Sequence, residues 1–290
     1  MMKVETNSNI IRVTLLGTGT PRLNNDRFGQ SILIEAGTEN FIFDCGRCTL
    51  QRLFQTGTPI TDVNNLFLTH LHSDHTVGIP DLWLTPWIFG RWEVPLHVWG
   101  PVGTEKMMSK LQEAYEYDLH IRPIHDLLPT QGMKVLAQDI NEGVVYEKNR
   151  VKVTAFEVDH RPIKPSFGYR VDYEGKSVVF SGDTRFCENL IKFSKNVDLL
   201  IHNVSAAREE ELRQSERLQN IMDLHLSPEE AGKIFTRAKP KLAVYTHMVL
   251  YSVNIEEIVT LTRQTYSGPL VIGEDLMSFE VGDTVKIRRQ

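Results

Sequence analysis

The chain has 290 residues, 41% hydrophobic and 24% charged, which excludes a disordered or collagen-like protein and suffices for a sizeable core. Lys and Arg number 32 against 37 Asp and Glu, a formal charge of −5, which disfavours a protein that coats nucleic acid through a generally basic surface. No stretch of eighteen apolar residues occurs, and the start Met1-Met2-Lys3-Val4-Glu5 lacks the apolar centre of a secretory signal, so neither a membrane span nor export is expected. Cys45, Cys48 and Cys187 are too few, and odd in number, for a disulfide framework, and the cytoplasm is the expected compartment.

Apolar runs at 10–16, 31–36 and 41–44 predict strands, the first ended by the turn residues Gly17-Thr18-Gly19-Thr20-Pro21. A helix over 47–55 stops at Gly57 and Pro59. The run 66–69 reads as a short buried strand that delivers the chain into His70-Leu71-His72-Ser73-Asp74-His75. Pro101 is expected to start a helix to about residue 117. Strands follow at 134–138, 151–158, 168–173 and 177–180, the last running into Ser181-Gly182-Asp183-Thr184. The final third alternates a helix over 188–193, a strand over 199–202, helices over 206–222 and 228–238, a strand over 242–246, a helix over 255–264 and short strands. Ser227-Pro228-Glu229-Glu230 has capping-box spacing with Pro at the first helical position. No low-complexity linker or charge block divides the chain, so 1–290 reads as one α/β domain of two packed halves. Short turns between the early strands favour mixed sheets over purely parallel ones.

Four ligand-capable side chains, His70, His72, Asp74 and His75, crowd into one short segment. At a strand end, residues i and i+2 point to one side, so His70 and His72 can reach one metal ion, while Asp74 and His75, after the chain turns, can face a second. Zinc favours imidazole nitrogen and carboxylate oxygen and keeps an open position where chemistry happens. Two ions need more ligands, and His160, Asp183 and His247 stand at the ends of other predicted strands. Asp44 closes the strand 41–44, where a carboxylate can orient a ligand histidine. An Asp beside three histidines is costly to bury without a cation. His97, His120, His125 and His202 lack that context and read as ordinary core or surface histidines.

Arg161, Lys164 and Arg185 flank two of these motifs and are candidate holds for an anionic substrate, with solvated surface charge as the competing reading. Trp83, Trp87, Phe89 and Trp92 follow the histidine motif. They can wall a substrate pocket, with Trp87 the candidate contact, or simply pack a core or a subunit interface. Cys45-Gly46-Arg47-Cys48 has redox-motif spacing without a thioredoxin-like context, and Gly17-Thr18-Gly19 is too short for a dinucleotide fingerprint and reads as a tight turn.

Thr69-His70-Leu71-His72-Ser73-Asp74-His75 resembles the H-x-H-x-D-H signature of the metallo-β-lactamase superfamily, with His160, Asp183 and His247 in the expected order. Leu15-Leu16-Gly17-Thr18-Gly19-Thr20-Pro21 and Phe43-Asp44-Cys45-Gly46 are similar to its first strands and first motif. The resemblance covers nearly the whole chain and implies an αββα four-layer sandwich with two metals at the sheet edges. It makes His70, His72 and His160 ligands of one zinc and Asp74, His75 and His247 ligands of the other, with Asp183 bridging; manganese or iron are alternatives to zinc. Gly78-Ile79-Pro80, Gly168-Tyr169-Arg170, Ser181-Gly182-Asp183-Thr184-Arg185 and His225-Leu226-Ser227 look like local patterns of the ribonuclease Z-like branch, in which the histidine matching His225 assists catalysis.

Two departures stand out. The tRNA-processing members carry a long Gly- and Pro-rich arm where this chain has only Asp172-Tyr173-Glu174-Gly175-Lys176, and they commonly have a glutamate where this chain has Asn203. Structured tRNA is thereby disfavoured, and Asn cannot act as a carboxylate in an acid relay. The branch also holds cyclic-nucleotide phosphodiesterases, arylsulfatases and enzymes with β-lactam or ester activity, and commonly forms homodimers.

Water held between two Zn²⁺ ions loses a proton near neutral pH. The expected function is therefore a dinuclear zinc hydrolase that uses a metal-bridging hydroxide on a small or nucleotide-like phosphodiester, with Asp74 and His225 as candidate catalytic residues. A sulfate ester, lactone or β-lactam substrate is the alternative. A non-catalytic metal or ligand sensor is the alternative of another class, and retention of every expected ligand speaks against it.

Overall fold

The computed structural model describes residues 9–289. Its first half runs β1 (Ile11–Gly17), β2 (Ser31–Ala36), β3 (Glu39–Phe43), α1 (Thr49–Gln55), β4 (Asn65–Phe67), α2 (Ser73–Thr76), α3 (Ile79–Ile88), β5 (Leu96–Gly100), α4 (Thr104–Ala114), α5 (Glu116–His125) and β6 (Val135–Asp139). Its second half runs β7 (Gly143–Lys148), β8 (Val151–Glu157), β9 (Phe167–Tyr173), β10 (Lys176–Phe180), α6 (Glu188–Phe193), β11 (Leu199–Ala207), α7 (Glu209–Gln214), α8 (Glu216–Met222), α9 (Pro228–Ala238), β12 (Leu242–Tyr251), α10 (Ile255–Arg263), β13 (Leu270–Ile272), β14 (Ser278–Val281) and β15 (Val285–Arg288).

The central strands carry near-continuous apolar residues because both of their faces are covered. Eight strands form one mixed sheet in the order β15-β14-β1-β2-β3-β4-β5-β6, and seven form the other in the order β13-β12-β11-β10-β9-β8-β7. Between the sheets lies a core of Val13, Phe41, Phe43 and Phe67 from one and Val153, Tyr169, Val178 and Val244 from the other. Outside the first sheet pack α1, α3 and α4; outside the second pack α6, α9 and α10. The result is the four-layer α/β sandwich with mixed sheets. Helix α9 begins as the sequence predicts, with Ser227 Oγ accepting from Glu230 N at 3.3 Å and the Glu230 carboxylate accepting from Ser227 N at 3.0 Å. Between β9 and β10 the chain turns through Glu174 (φ 48°) and Gly175 (φ 73°), a two-residue hairpin that holds no arm.

Several expectations are corrected. Pro101 does not begin a helix: its carbonyl closes a turn onto Thr104, and α4 starts after Gly103 (φ 106°). Asp139, from β6, caps that helix by accepting from the backbone N–H of Gly103 and Glu105, a long-range contact with no local signal. Residues 206–222 are not one helix. Ala206 and Ala207 pair with Leu250 and Tyr251 of β12, and the extended Ser215 (φ −142°) separates α7 from α8. Helix α3, not predicted, is apolar on most of its surface and carries prolines in its first turn and interior, which hides the helical period. β5 and β7 likewise have no counterpart among the predicted strands; β7 is a half-exposed edge strand with little apolar pattern. β4 ends at Phe67, so His70 and His72 lie in a loop beyond the strand.

Phe67 is fully buried at that exit, stacked on Phe43 at 5.1 Å and on Trp99 at 4.7 Å between ring centroids. Phe67→Ala is expected to cost about 3–5 kcal/mol of stability, read as a lower midpoint in urea denaturation.

Candidate metal centre

Past β4 the chain is held by backbone contact. Cys45 N donates to the His75 carbonyl at 2.7 Å and Gly78 N to the Cys45 carbonyl at 2.9 Å. A Cβ on Gly78 would lie 2.2 Å from the Gly46 carbonyl oxygen, so both segments need glycine to approach. Asp44 (φ 58°), fully buried at the end of β3, accepts from Thr69 N at 2.8 Å and Thr69 Oγ1 at 2.9 Å, and its Oδ2 lies 2.7 Å from His75 Nδ1. That bond leaves His75 Nε2 free and aims it between Asp74 and Asp183, 3.5 Å from an oxygen of each.

His70 Nε2 and His72 Nδ1 approach to 2.9 Å. His160, after β8, joins them as a third ring; its Nδ1 donates to the Leu224 carbonyl at 2.9 Å, leaving Nε2 free. Asp183 follows Gly182 (φ 61°), where a Cβ would meet the Phe167 carbonyl at 2.6 Å. In β12 two residues, Thr246 and His247, face the single Asn203 of β11, a bulge that turns His247 inward (φ 42°). His247 Nε2 lies 3.1 Å from Asp74 Oδ2 and its Nδ1 3.5 Å from Asp183 Oδ1. The ligand-capable atoms form overlapping groups: His70, His72 and His160; Asp74, His75 and His247; His70, His75 and Asp183; and Asp183, His225 and His247. Asp183 therefore stands between the first two.

The electrostatics match a cation site. Burial works against charge on His75, yet Asp44 and Asp183 raise its pKa well above the ordinary value. Burial also works against Asp183, but His247 and His75 hold it well below the usual carboxylate range. Asp74 falls to about 2, against burial, through His247 and His75. Burial, aided by His75, lowers His70, and burial lowers His160. Buried His75 Nε2, His160 Nε2 and His247 Nδ1 have no hydrogen-bond partner. Orphaned imidazole nitrogens among ionised carboxylates are the donor set a divalent cation takes, and the residues present fit one.

These groups face a cavity of about 530 Å³ lined by His72, Asp74, Asp183, His225 and His247. His225 has 6% of its side chain exposed, and burial lowers its pKa to about 3. The cations on this cavity are Arg22, Arg27 and Arg217, which the sequence did not single out, and its apolar wall includes Ile221, Met248 and Tyr251. Arg27 is fastened by donation to Thr18 Oγ1 at 2.8 Å and to the Gly273 carbonyl at 2.6 Å.

The other candidates fall elsewhere. Arg161 pairs with Asp159 and, with Arg185, lines a flanking cavity; Lys164 is exposed. Trp87 is corrected outright: it is fully buried in the core of the first sheet, its indole donating to the Pro129 carbonyl at 2.8 Å. Trp83 is buried in the same way, whereas Phe89 and Trp92 are exposed. His97, His120, His125 and His202 belong to none of the metal-capable groups among the described residues. Cys45, Cys48 and Cys187 are unpaired.

Residues 31–248 match the Beta-lactamase superfamily domain family. The chain is 34% identical to the Ribonuclease Z of Mycolicibacterium gilvum over 276 residues, covering 94% of this chain and 96% of that one. Among solved structures it resembles the metallo-beta-lactamase fold protein YhfI from Bacillus subtilis, with TM-score 0.71 and 19% identity over 93% of this chain and 99% of that one. It also resembles the human tRNase Z, short form, with TM-score 0.66 and 25% identity over 92% and 98%. No helix among the described residues is long and apolar enough to cross a membrane. The chain belongs to the metallo-β-lactamase superfamily, in its ribonuclease Z-like branch, and is a metal-dependent hydrolase of the phosphodiesterase type.

Proposed function

We propose that the chain holds two zinc ions and hydrolyses a small or nucleotide-like anionic phosphodiester. Of eight converging ligand-capable side chains, the seven other than His225, with Asp183 facing both groups, carry this reading. His70, His72 and His160 would hold one ion and Asp74, His75 and His247 the other. When bound, the pair supplies an acidified water as nucleophile and positive charge for the developing phosphoryl oxygens.

The chain's own residues prepare the rest. Asp44 and the Leu224 carbonyl fix His75 and His160 with Nε2 turned to the centre. Asp74, ionised at neutral pH, lines the cavity as an acceptor that orients the attacking water. His225, which lines the same cavity, holds the departing or developing oxyanion. Arg22, Arg27 and Arg217 favour an anionic substrate over a neutral lactone. Unpaired cysteines suit a reducing cytoplasm. Cleavage of RNA is a second reading, favoured by the name of the mycobacterial relative, which the chain matches over 96% of its length.

Metal analysis and a panel of bis-p-nitrophenyl phosphate, p-nitrophenyl sulfate, a lactone, nitrocefin and a precursor RNA test the reading. Phosphodiester turnover that is lost on chelation and restored by zinc is expected; a higher kcat/KM on sulfate or β-lactam overturns it. His225→Ala is expected to lose about 10²–10³ in kcat while retaining both metals, and loss of zinc in that variant would make His225 a ligand. Asp44→Asn is expected to weaken zinc binding by about 10–100-fold, measured by competition with a chelator. In the wild type that affinity rises with pH, because the His75 imidazolium surrenders its proton on ligation.

A further inference from the structure

Asn203 is 1% exposed in β11, opposite the bulge that carries His247. Its Nδ2 lies 3.0 Å from His225 Nδ1 and 3.4 Å from the Thr184 carbonyl oxygen. A carbonyl oxygen only accepts, so the end of the amide that meets Thr184 is the amino end, and Asn203 Oδ1 is left buried without a hydrogen-bond partner. Turned over, the amide would set its own oxygen against that carbonyl. The two amino hydrogens serve both acceptors, so His225 Nδ1 accepts and the ring's one proton sits on Nε2. Asp183 is 4.0 Å from the same Nδ1, and its oxygens face His75 and His247. Carboxylate support of Nδ1–H, the arrangement that stabilises an imidazolium, is therefore replaced by an amide donor.

We propose that Asn203 is a positioning residue that holds His225 as a neutral imidazole with its proton on Nε2, so that the chain acts on phosphodiesters or phosphoanhydrides whose leaving group departs as a stable oxyanion. This rests on the phosphodiesterase reading of the site. In the step, the water oxygen forms the new bond to phosphorus and one water proton passes to solvent. The bond from phosphorus to the leaving oxygen breaks with its electron pair on that oxygen, which departs and later takes a proton from solvent. His225 donates a hydrogen bond to it throughout and keeps its own proton, as a neutral histidine polarising an oxygen can. An aryl or phosphoryl oxygen tolerates this. A ribose alkoxide needs a proton as the bond breaks, and the general acid that would supply it contributes about 10²–10⁴ in rate.

Two readouts test the proposal. Long-range proton–nitrogen spectra of histidine-labelled protein, zinc-loaded and zinc-free, with His225→Ala for assignment, are expected to show His225 neutral and protonated on Nε2, and protonated on Nδ1 in Asn203→Asp. On methyl aryl phosphodiesters, wild-type kcat/KM is expected to fall by about 100-fold or more from p-nitrophenyl to phenyl, and the fall to shrink to about tenfold in Asn203→Asp. Asn203→Glu repeats the comparison if the aspartate variant does not fold. A wild-type His225 protonated on Nδ1 overturns the proposal, as does an equal fall in the wild type and both variants. With the ring as stated but no diester or anhydride hydrolysed, the phosphodiesterase reading fails and takes the leaving-group assignment with it; the spectra alone then decide the Asn203–His225 pair.

Discussion

A carboxylate without solvent contact has to be met by donors, and Asp44 sets the geometry of the site through that requirement. Its oxygens take the Thr69 N–H, the Thr69 hydroxyl and His75 Nδ1, so one buried charge ties the end of β3 to the loop after β4 and to α2. Loss of one of these donors leaves a carboxylate oxygen unsatisfied in a core that cannot hydrate it. The glycines at 46 and 78 let the same segments touch backbone to backbone. The histidine loop is thus fastened from behind, and its free nitrogens point forward.

The second sheet meets the first by the same logic. His160 is oriented by a carbonyl, Asp183 is delivered by a left-handed glycine, and His247 is turned in by a bulge. Each follows or interrupts a strand at one edge of the core between the sheets, so the packing of Phe43, Phe67 and Tyr169 also determines how far apart the two halves of the donor set stand. A donor set split between sheets is complete only when the sandwich is closed.

What was legible in the sequence is what is local. The histidine and aspartate cluster, the capping box at Ser227 and the strands of the buried centre are short-range patterns; the box caps α9 and the cluster comes together, with His70 and His72 in a loop beyond β4 rather than at its end. Trp87 shows the limit: an aromatic near the site in sequence has no direction until α3 exists, and that helix turns it to the core. Arg22, Arg27 and Arg217 show the converse. They come from a polar loop and an exposed helix, and only the assembled cavity sets them around one space. The cap of Asp139 on α4 and the pairing of Ala206 and Ala207 with β12 are likewise tertiary contacts that override local preference.

The segment between β11 and α9 shapes more of the site than its modest apolar content suggests. Arg217, Ile221 and Leu224 line both the metal-facing cavity and the flanking cavity of Arg161 and Arg185, so α8 is the partition between them. Leu224 also supplies the carbonyl that orients His160, and the next residue is His225. One end of a short helix therefore shapes the pocket wall, fixes the His160 ring and places His225 beside it, 5.5 Å away between ring centroids. A shift of α8 would alter all three together, whereas the Asp44 anchor, on the other sheet, would be untouched. The shape of the cavity wall and the position of His225 are consequently coupled through α8, and the group of Asp74, His75 and Asp183 is held independently of it.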